Sequence, residues 1–256
     1  MKKGIYKHYK GNYYTILDIA KHTETLEDLV VYKALYSDDR VWVRPLTMFM
    51  EDVDFNQIKQ KRFEFIQQDN FKEVLCGKRK ELIEKLKRYQ HKFPTEKQVV
   101  EQFIEFIEKN ENCFERTNLV GHITGSAWVV DENGKILLMH HKKLNRWFQP
   151  GGHSDGDFNT LRVAQKEVQE ETGLKKIVAV SEEVYDIDRH IIPARCKEPE
   201  HYHYDVRFLI KAVNPEEMEK NDESNNVKWF DDKEFNDLNL DQSITRMNMK
   251  YKGFYK

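Results

Sequence analysis

Gln149 to Leu174 reads QPGGHSDGDFNTLRVAQKEVQEETGL, and the fold of the chain is decided by how this stretch is read. Its second half, Leu161 to Thr172, contains no glycine or proline and is built from residues that suit a helix. Leu161, Ala164 and Val168 fall on one stripe, which predicts packing against a sheet. Glu167, Glu170 and Glu171 stand at i, i+3 and i+4, so their carboxylates converge on one patch. Gly173 directly after the run is a natural helix stop. Three crowded carboxylates repel one another unless solvent or a cation neutralises them, and hard oxygen ligands clustered in this way suit Mg²⁺ or Mn²⁺. A bare E-x-x-E-E is ordinarily an acidic surface helix. Here the Gly151-Gly152 loop before it and Thr172-Gly173-Leu174 after it turn the reading toward a metal site.

Working outward, Thr124 to Asp131 and Lys135 to His140 read as a hairpin around Glu132-Asn133-Gly134. A strand is expected around Tyr202 to Ile210, then a short last strand at Val227 to Phe230 before a C-terminal helical stretch. Mixed strands and helices imply an α/β or α+β sandwich. Alternation in the strand puts His201, His203, Asp205 and Arg207 on one face and Tyr202, Tyr204, Val206 and Phe208 on the other. The first face is too polar for an ordinary core. It either forms an exposed edge or lines a cleft, where Arg207 would hold phosphate and a histidine would move a proton. The candidate substrate contacts are therefore Gly151, His153, His203, Asp205 and Arg207. His122, His140 and His141 read as structural, while Glu198 and Glu200 are candidates for a metal ligand outside the helix.

The first part of the chain has a different texture. Ile5 to Tyr9, Asn12 to Ile16, Leu29 to Tyr36 and Val41 to Pro45 read as short strands, with turns at Gly11-Asn12 and Ser37-Asp38-Asp39. Residues 1–66 are thus expected to form a small β-rich domain, a partly closed barrel. Near Gln67 the period changes, and residues 67–256 read as a second domain that opens on a helical hairpin at about 71–110. Leu75, Leu82, Ile83, Leu86 and Tyr89 mark its first helix, Pro94 ends it, and Thr95 with Gln98 has the spacing of a capping box for the second.

Composition narrows the function classes. Over 256 residues, 39% are hydrophobic and 34% charged, with a formal net charge of −2, which argues against bulk nucleic-acid binding. No apolar run approaches the length of a membrane span, and Met1 to Tyr6 lacks the core of a secretory signal. Cys76, Cys113 and Cys196 are scattered, so a cysteine zinc site or disulfide framework is not expected and a cytoplasmic setting is.

Gln149 to Leu174 resembles the Nudix box, the family pattern G-x5-E-x7-R-E-U-x-E-E-x-G-U with U aliphatic. Gly152 falls on its first glycine, and Glu167, Val168, Glu170, Glu171, Gly173 and Leu174 fill its second half in register. Phe158 replaces the pattern's glutamate and Lys166 its arginine. Lys166 supplies the charge without the bidentate fork, and Asp157 or Asp155 is expected to partner it while Phe158 packs beneath the loop. The resemblance covers about residues 68–256. It implies a Nudix-type α/β/α sandwich with a mixed sheet, giving an α+β chain overall. It also implies a Mg²⁺-dependent hydrolase, with Mn²⁺ as a substitute, that cleaves the diphosphate linkage of a nucleoside diphosphate joined to another group. Glu170 and Glu171 would bind metal, Glu167 would be a further ligand or a base, Lys166 would orient them, and a Gly151-Gly152 carbonyl would complete the shell. The implied partner is a small nucleotide-like substrate, with nucleic acid entering only as a capped RNA end, no membrane, and a homodimer left open. A nucleotide sensor that no longer hydrolyses, a diphosphate isomerase on the same fold, and a base-stacking module in the aromatic N-terminal domain are the alternatives. Residues 3–11 and 41–45 make the N-terminal part similar to a small bacterial domain family of unknown function.

Overall fold

The computed structural model describes residues 1–35, 41–55, 58–195, 198–219, 224–238 and 240–254. The expected turn at Ser37-Asp38-Asp39, the end of the strand at Tyr36, and Cys196 lie outside them. The chain forms two compact units, Met1–Lys80 with Asp155–Phe158, and Glu81–Ser154 with Asn159–Lys256.

The first unit contains β1 (Ile5–His8), β2 (Tyr13–Lys21), β3 (Asp28–Ala34), β4 (Val41–Pro45), α1 (Leu46–Met50), β5 (Asp52–Phe55), β6 (Ile58–Lys61) and β7 (Phe63–Ile66). Five of its strands make one antiparallel sheet in the order β4-β3-β2-β1-β7, and β5 pairs with β6. Among the described residues β4 and β7, the two ends of this order, do not pair with each other. Aromatic packing explains why a sheet this small holds together. Tyr6, Tyr32, Phe49 and Phe63 are buried together with Ile16 and Val30, and Phe49 stacks on Phe63 at 4.0 Å between centroids. Phe158 joins this unit, its ring 5.7 Å from Tyr13. An apolar side chain at that position seeks apolar contact, which Tyr13 supplies.

Helix α2 (Gln68–Lys92) crosses from the first unit into the second, burying Leu82, Ile83, Leu86 and Tyr89. A 3₁₀ turn at Pro94–Glu96 leads into α3 (Lys97–Lys109), whose N-cap is Glu96 without a side-chain cap bond. The expected capping box from Thr95 is thus absent. Glu96 instead accepts from Tyr89 Oη at 2.6 Å and pairs with Lys250 at 2.6 Å, and this fixes where the helix begins.

The rest of the second unit comprises β8 (Gly121–Val130), β9 (Ile136–His141), β10 (Arg146–Phe148), β11 (Gly151–His153), α4 (Thr160–Thr172), β12 (Ile177–Ala179), β13 (Asp186–Ile192), β14 (His201–Ala212), β15 (Ser224–Phe230), α5 (Asp232–Asn236) and α6 (Gln242–Phe254). These strands form one mixed sheet on the path β10-β9-β8-β14-β12. On it β11 adds to β8, β13 to β14 and β15 to β9, with β8 and β14 parallel. One face carries α3 and α4: Phe106 stacks on Tyr204 at 4.0 Å, and Gly125 leaves room for Val163. The other carries α5 and α6, where Trp128, Leu209, Phe235, Ile244 and Met247 share a core. This is the mixed-sheet sandwich expected from the sequence. No helix among the described residues is long and apolar enough to cross a membrane.

Candidate active site

Strand β8 brings the site together because its hairpin partner leaves it early. The turn forms as expected, with Asp131 Oδ1 accepting from the backbone N–H of Asn133 and Lys135 and Gly134 at φ 75°. Yet β9 pairs with β8 only at Val129↔Leu137 and Val130↔Ile136 before turning to β10 and β15. The edge of β8 left open is taken by the glycine loop, with Gly151 opposite Ser126, Gly152 opposite Gly125 and His153 opposite Thr124.

Helix α4 then lies against that edge. Asn159 caps its start by accepting from Arg162 N–H at 3.1 Å, and Gly173 ends it in the left-handed region at φ 71°. Its buried face is Thr160, Val163, Ala164, Val168, Glu171 and Thr172. Leu161 is only half-buried; Val163 takes the place expected for it, because Gly125 opens space there. Turned toward the loop, Glu171 is buried and accepts from the Gly151 N–H at 2.9 Å. Gly152 faces Glu167 so closely that an added Cβ would lie 2.6–2.8 Å from its carboxyl atoms. Glu170 is open to solvent, its side chain 58% exposed against 16% for Glu167. Lys166 Nζ lies 3.4 Å from Glu170 and 3.9 Å from Glu167. Both of these neighbours lie on its own helix, and Glu170 at i+4 is the nearer of the two. The structure thus brings Gly151, Gly152, Lys166, Glu167, Glu170 and Glu171 into one cradle.

The polar face of β14 has a different destiny. The strand is central rather than an edge, so the exposed-edge alternative does not hold. Asp205 accepts from Thr124 Oγ1 at 2.9 Å, Ser126 Oγ at 2.6 Å and Arg207 Nε at 2.7 Å. Arg207 is 2% exposed and also meets Asp186 at 3.0 Å, Asp188 at 3.4 Å and Ser243 at 3.4 Å. Arg246 and Lys250 of α6 pair with the same Asp186. Burial alone would raise the Asp186 carboxyl, but Arg207, Arg246 and Lys250 hold it below its ordinary value. A phosphate would reach Arg207 only by displacing these carboxylates, so the arrangement reads as an ionic layer clamping α6 to the sheet. Asp186, Arg246 and Lys250 are not singled out by the sequence reading; the period-two spacing of Asp186 and Asp188 is a signal for the aspartates, but none exists for Arg246 and Lys250.

His153 and His203 do come together, with ring centroids 5.0 Å apart. His140 packs on Trp147, and His141 accepts from the N–H groups of Lys143 and Leu144. Glu198 and Glu200 lie exposed just before β14.

The family model described as the NUDIX domain matches residues 122–249, half of the chain. The chain belongs to the Nudix family. As a Nudix member it is a hydrolase acting on phosphoric anhydrides, and the loop and helix just described fall within the matched residues. A second model, a protein of unknown function termed DUF1653, matches residues 4–65. A solved DUF1653 protein from Bordetella bronchiseptica is 37% identical, covering 26% of this chain and 87% of its own, at a TM-score of 0.25. A C. elegans Ap4A hydrolase is 18% identical over 52% of this chain and 96% of its own, TM-score 0.43. A MutT protein from Methanosarcina mazei Go1 is 18% identical over 53% and 95%, TM-score 0.42. No curated protein matches the chain.

Proposed function

We propose that the Nudix domain is a Mg²⁺-dependent pyrophosphohydrolase, with Mn²⁺ as a substitute, that cleaves the diphosphate linkage of a nucleoside diphosphate joined to another group. The observation that carries this is the fit of the Gly151–Gly152 strand against Glu167 and Glu171, since only glycine at 152 leaves Glu167 its place. The donor set fits the cation: carboxylates at 167, 170 and 171 and the Gly152 carbonyl are hard oxygens. Glu170 and Glu171 would hold it, with Glu167 as a further ligand or as the base that takes a proton from the attacking water. When bound, the cation supplies neutralisation of the diphosphate charge.

The chain's own residues supply the rest. The Gly151 N–H fixes one Glu171 oxygen and so orients the other. Lys166 tempers the repulsion between Glu167 and Glu170, a positioning role that a point charge can fill. His153, next to Gly152 in the loop, would contact a phosphate. The substrate side is read as a small nucleotide in a cytoplasmic enzyme. The test is a panel of nucleoside triphosphates, ADP-ribose, dinucleoside polyphosphates, sugar nucleotides and capped RNA, each with Mg²⁺ and Mn²⁺. Turnover of at least one supports the reading, and no turnover of any in either metal removes it.

A further inference from the structure

On the sheet face opposite α4, three histidines outside the box meet at one end. His203 on β14 lies opposite His122 on β8 in strand register, and His201, two residues earlier, shares its face. The His122 ring centroid is 4.9 Å from that of His201 and 4.7 Å from that of His203, and the latter two are 5.2 Å apart. Each ring offers a nitrogen within 4.8 Å of the others. His122 is 2% exposed and His201 9%. Among the described residues Nε2 of His203 has no hydrogen-bond partner, and the His122 ring has at most a weak one in the Asn118 backbone. A buried polar atom left unpaired is destabilising, so a cluster of them asks for an explanation. Burial, helped by the neighbouring histidines, lowers His122 to about 4 and His203 to about 2. His201 adds the support typical of a ligand. Its Nδ1 sits 2.9 Å from the Pro199 carbonyl oxygen, and donation there leaves the Nε2 lone pair free and fixes the ring.

We propose that His122, His201 and His203 form a site for a transition-metal dication, Zn²⁺ first among them, separate from the carboxylates of the Nudix box. Three imidazoles without a carboxylate favour Zn²⁺ strongly over Mg²⁺, which prefers oxygen and water. Tetrahedral Zn²⁺ with bonds of about 2.0–2.1 Å needs its nitrogens about 3.4 Å apart. The ring nitrogens, within 4.8 Å of one another, would have to draw together by up to about 1.4 Å to reach that spacing. The fourth position belongs to water or an anionic oxygen, as in zinc sites with three protein ligands. His153 links the cluster to the box: its ring is 5.0 Å from those of His122 and His203, and its backbone neighbour is Gly152.

The test uses the full chain, stripped of metal and kept in excess Mg²⁺. Co²⁺ is titrated in as a spectroscopic probe and then displaced by Zn²⁺ followed calorimetrically. The expected result is uptake of one equivalent with the intense visible bands of four- or five-coordinate Co²⁺. His201→Gln and His203→Gln should each weaken binding by about 10- to 100-fold, while Glu170→Gln and Glu171→Gln leave the spectrum unchanged. Weak octahedral bands, no uptake in Mg²⁺, or loss of binding in the Glu variants but not the His variants would overturn the proposal. The wild-type spectrum decides by itself if a histidine variant fails to fold.

Discussion

Replacing Gly152 by alanine separates the chemistry of the box from the stability of the fold. A Cβ at this position would stand 2.6 Å from Glu167 Cδ and 2.7 and 2.8 Å from its two oxygens. Ordinary contact begins at 3.4 Å, so the carboxyl group must retreat by the difference between 3.4 and 2.6 Å, about 0.8 Å. The atoms that yield are the far end of a flexible side chain, so the fold gives way cheaply. Gly152 is also not in the left-handed region, so alanine fits its backbone and reduces the freedom of the unfolded chain, worth about 0.4–1 kcal/mol. Stability should thus change by less than about 1 kcal/mol in either direction. Catalysis should not be so forgiving, because a misplacement of order 1 Å costs about 100-fold in rate. Gly151→Ala is the contrast. Its Cβ would meet Ser126, including the Cα at 2.8 Å, and backbone cannot swing aside, so a loss of about 1–3 kcal/mol is expected. The assay is Mg²⁺-dependent turnover of the best panel substrate beside urea unfolding. Wild-type turnover by Gly152→Ala at limiting Mg²⁺ would refute the reasoning, as would a loss of activity that tracks unfolding.

Lys166→Arg should keep most activity, while Lys166→Ala should lower kcat by about tenfold with little change in KM, because the carboxylates lose their positioning charge. A pure KM effect, or failure of arginine to rescue, would argue for an ordinary surface lysine. Acid should weaken the metal-free fold through His122. Its folded pKa of about 4 lies below the ordinary 6.5, so the unfolded chain gains the proton first. The stability is fully present above pH 6.5 and is lost as pH falls toward 4. Near pH 5 the loss is about 2 kcal/mol, from 1.36 kcal/mol per unit over roughly 1.5 units. Urea unfolding of wild type and His122→Gln at pH 7 and 5 checks this, and equal pH slopes in the two would contradict it. We also propose that the domain boundary lies at residues 66 and 67, so a chain of residues 67–256 should fold and hydrolyse. A folded but inactive fragment would assign the N-terminal domain a part in the site.

The box was legible because its signals are local. Carboxylate spacing on one helix, a helix-stopping Gly173 and a paired glycine loop all fall within 26 residues, Gln149 to Leu174. Alternation in β14 was legible for the same reason. What lay across it was not, since the partners of Arg207 come from β13 and α6, and no spacing rule joins Asp186 to Lys250. The same limit explains the histidines. His201 and His203 show as H-x-H, but His122 joins them only through the parallel register of β8 and β14, which alternation cannot specify. Thr95 misled because its capping pattern competed with Glu96, whose charge is claimed by Tyr89 and Lys250 from distant elements.

The central claim is that the cradle of Glu167, Glu170 and Glu171 against the glycine loop holds the catalytic cation. Its most direct test is turnover of the best panel substrate by Glu170→Gln and Glu171→Gln across a Mg²⁺ titration, with unfolding measured in parallel. Each variant should lose about 100-fold or more in kcat. Stability should hold or rise, because one charge leaves a crowded acidic patch. Near wild-type turnover in both variants at limiting Mg²⁺ would contradict the account.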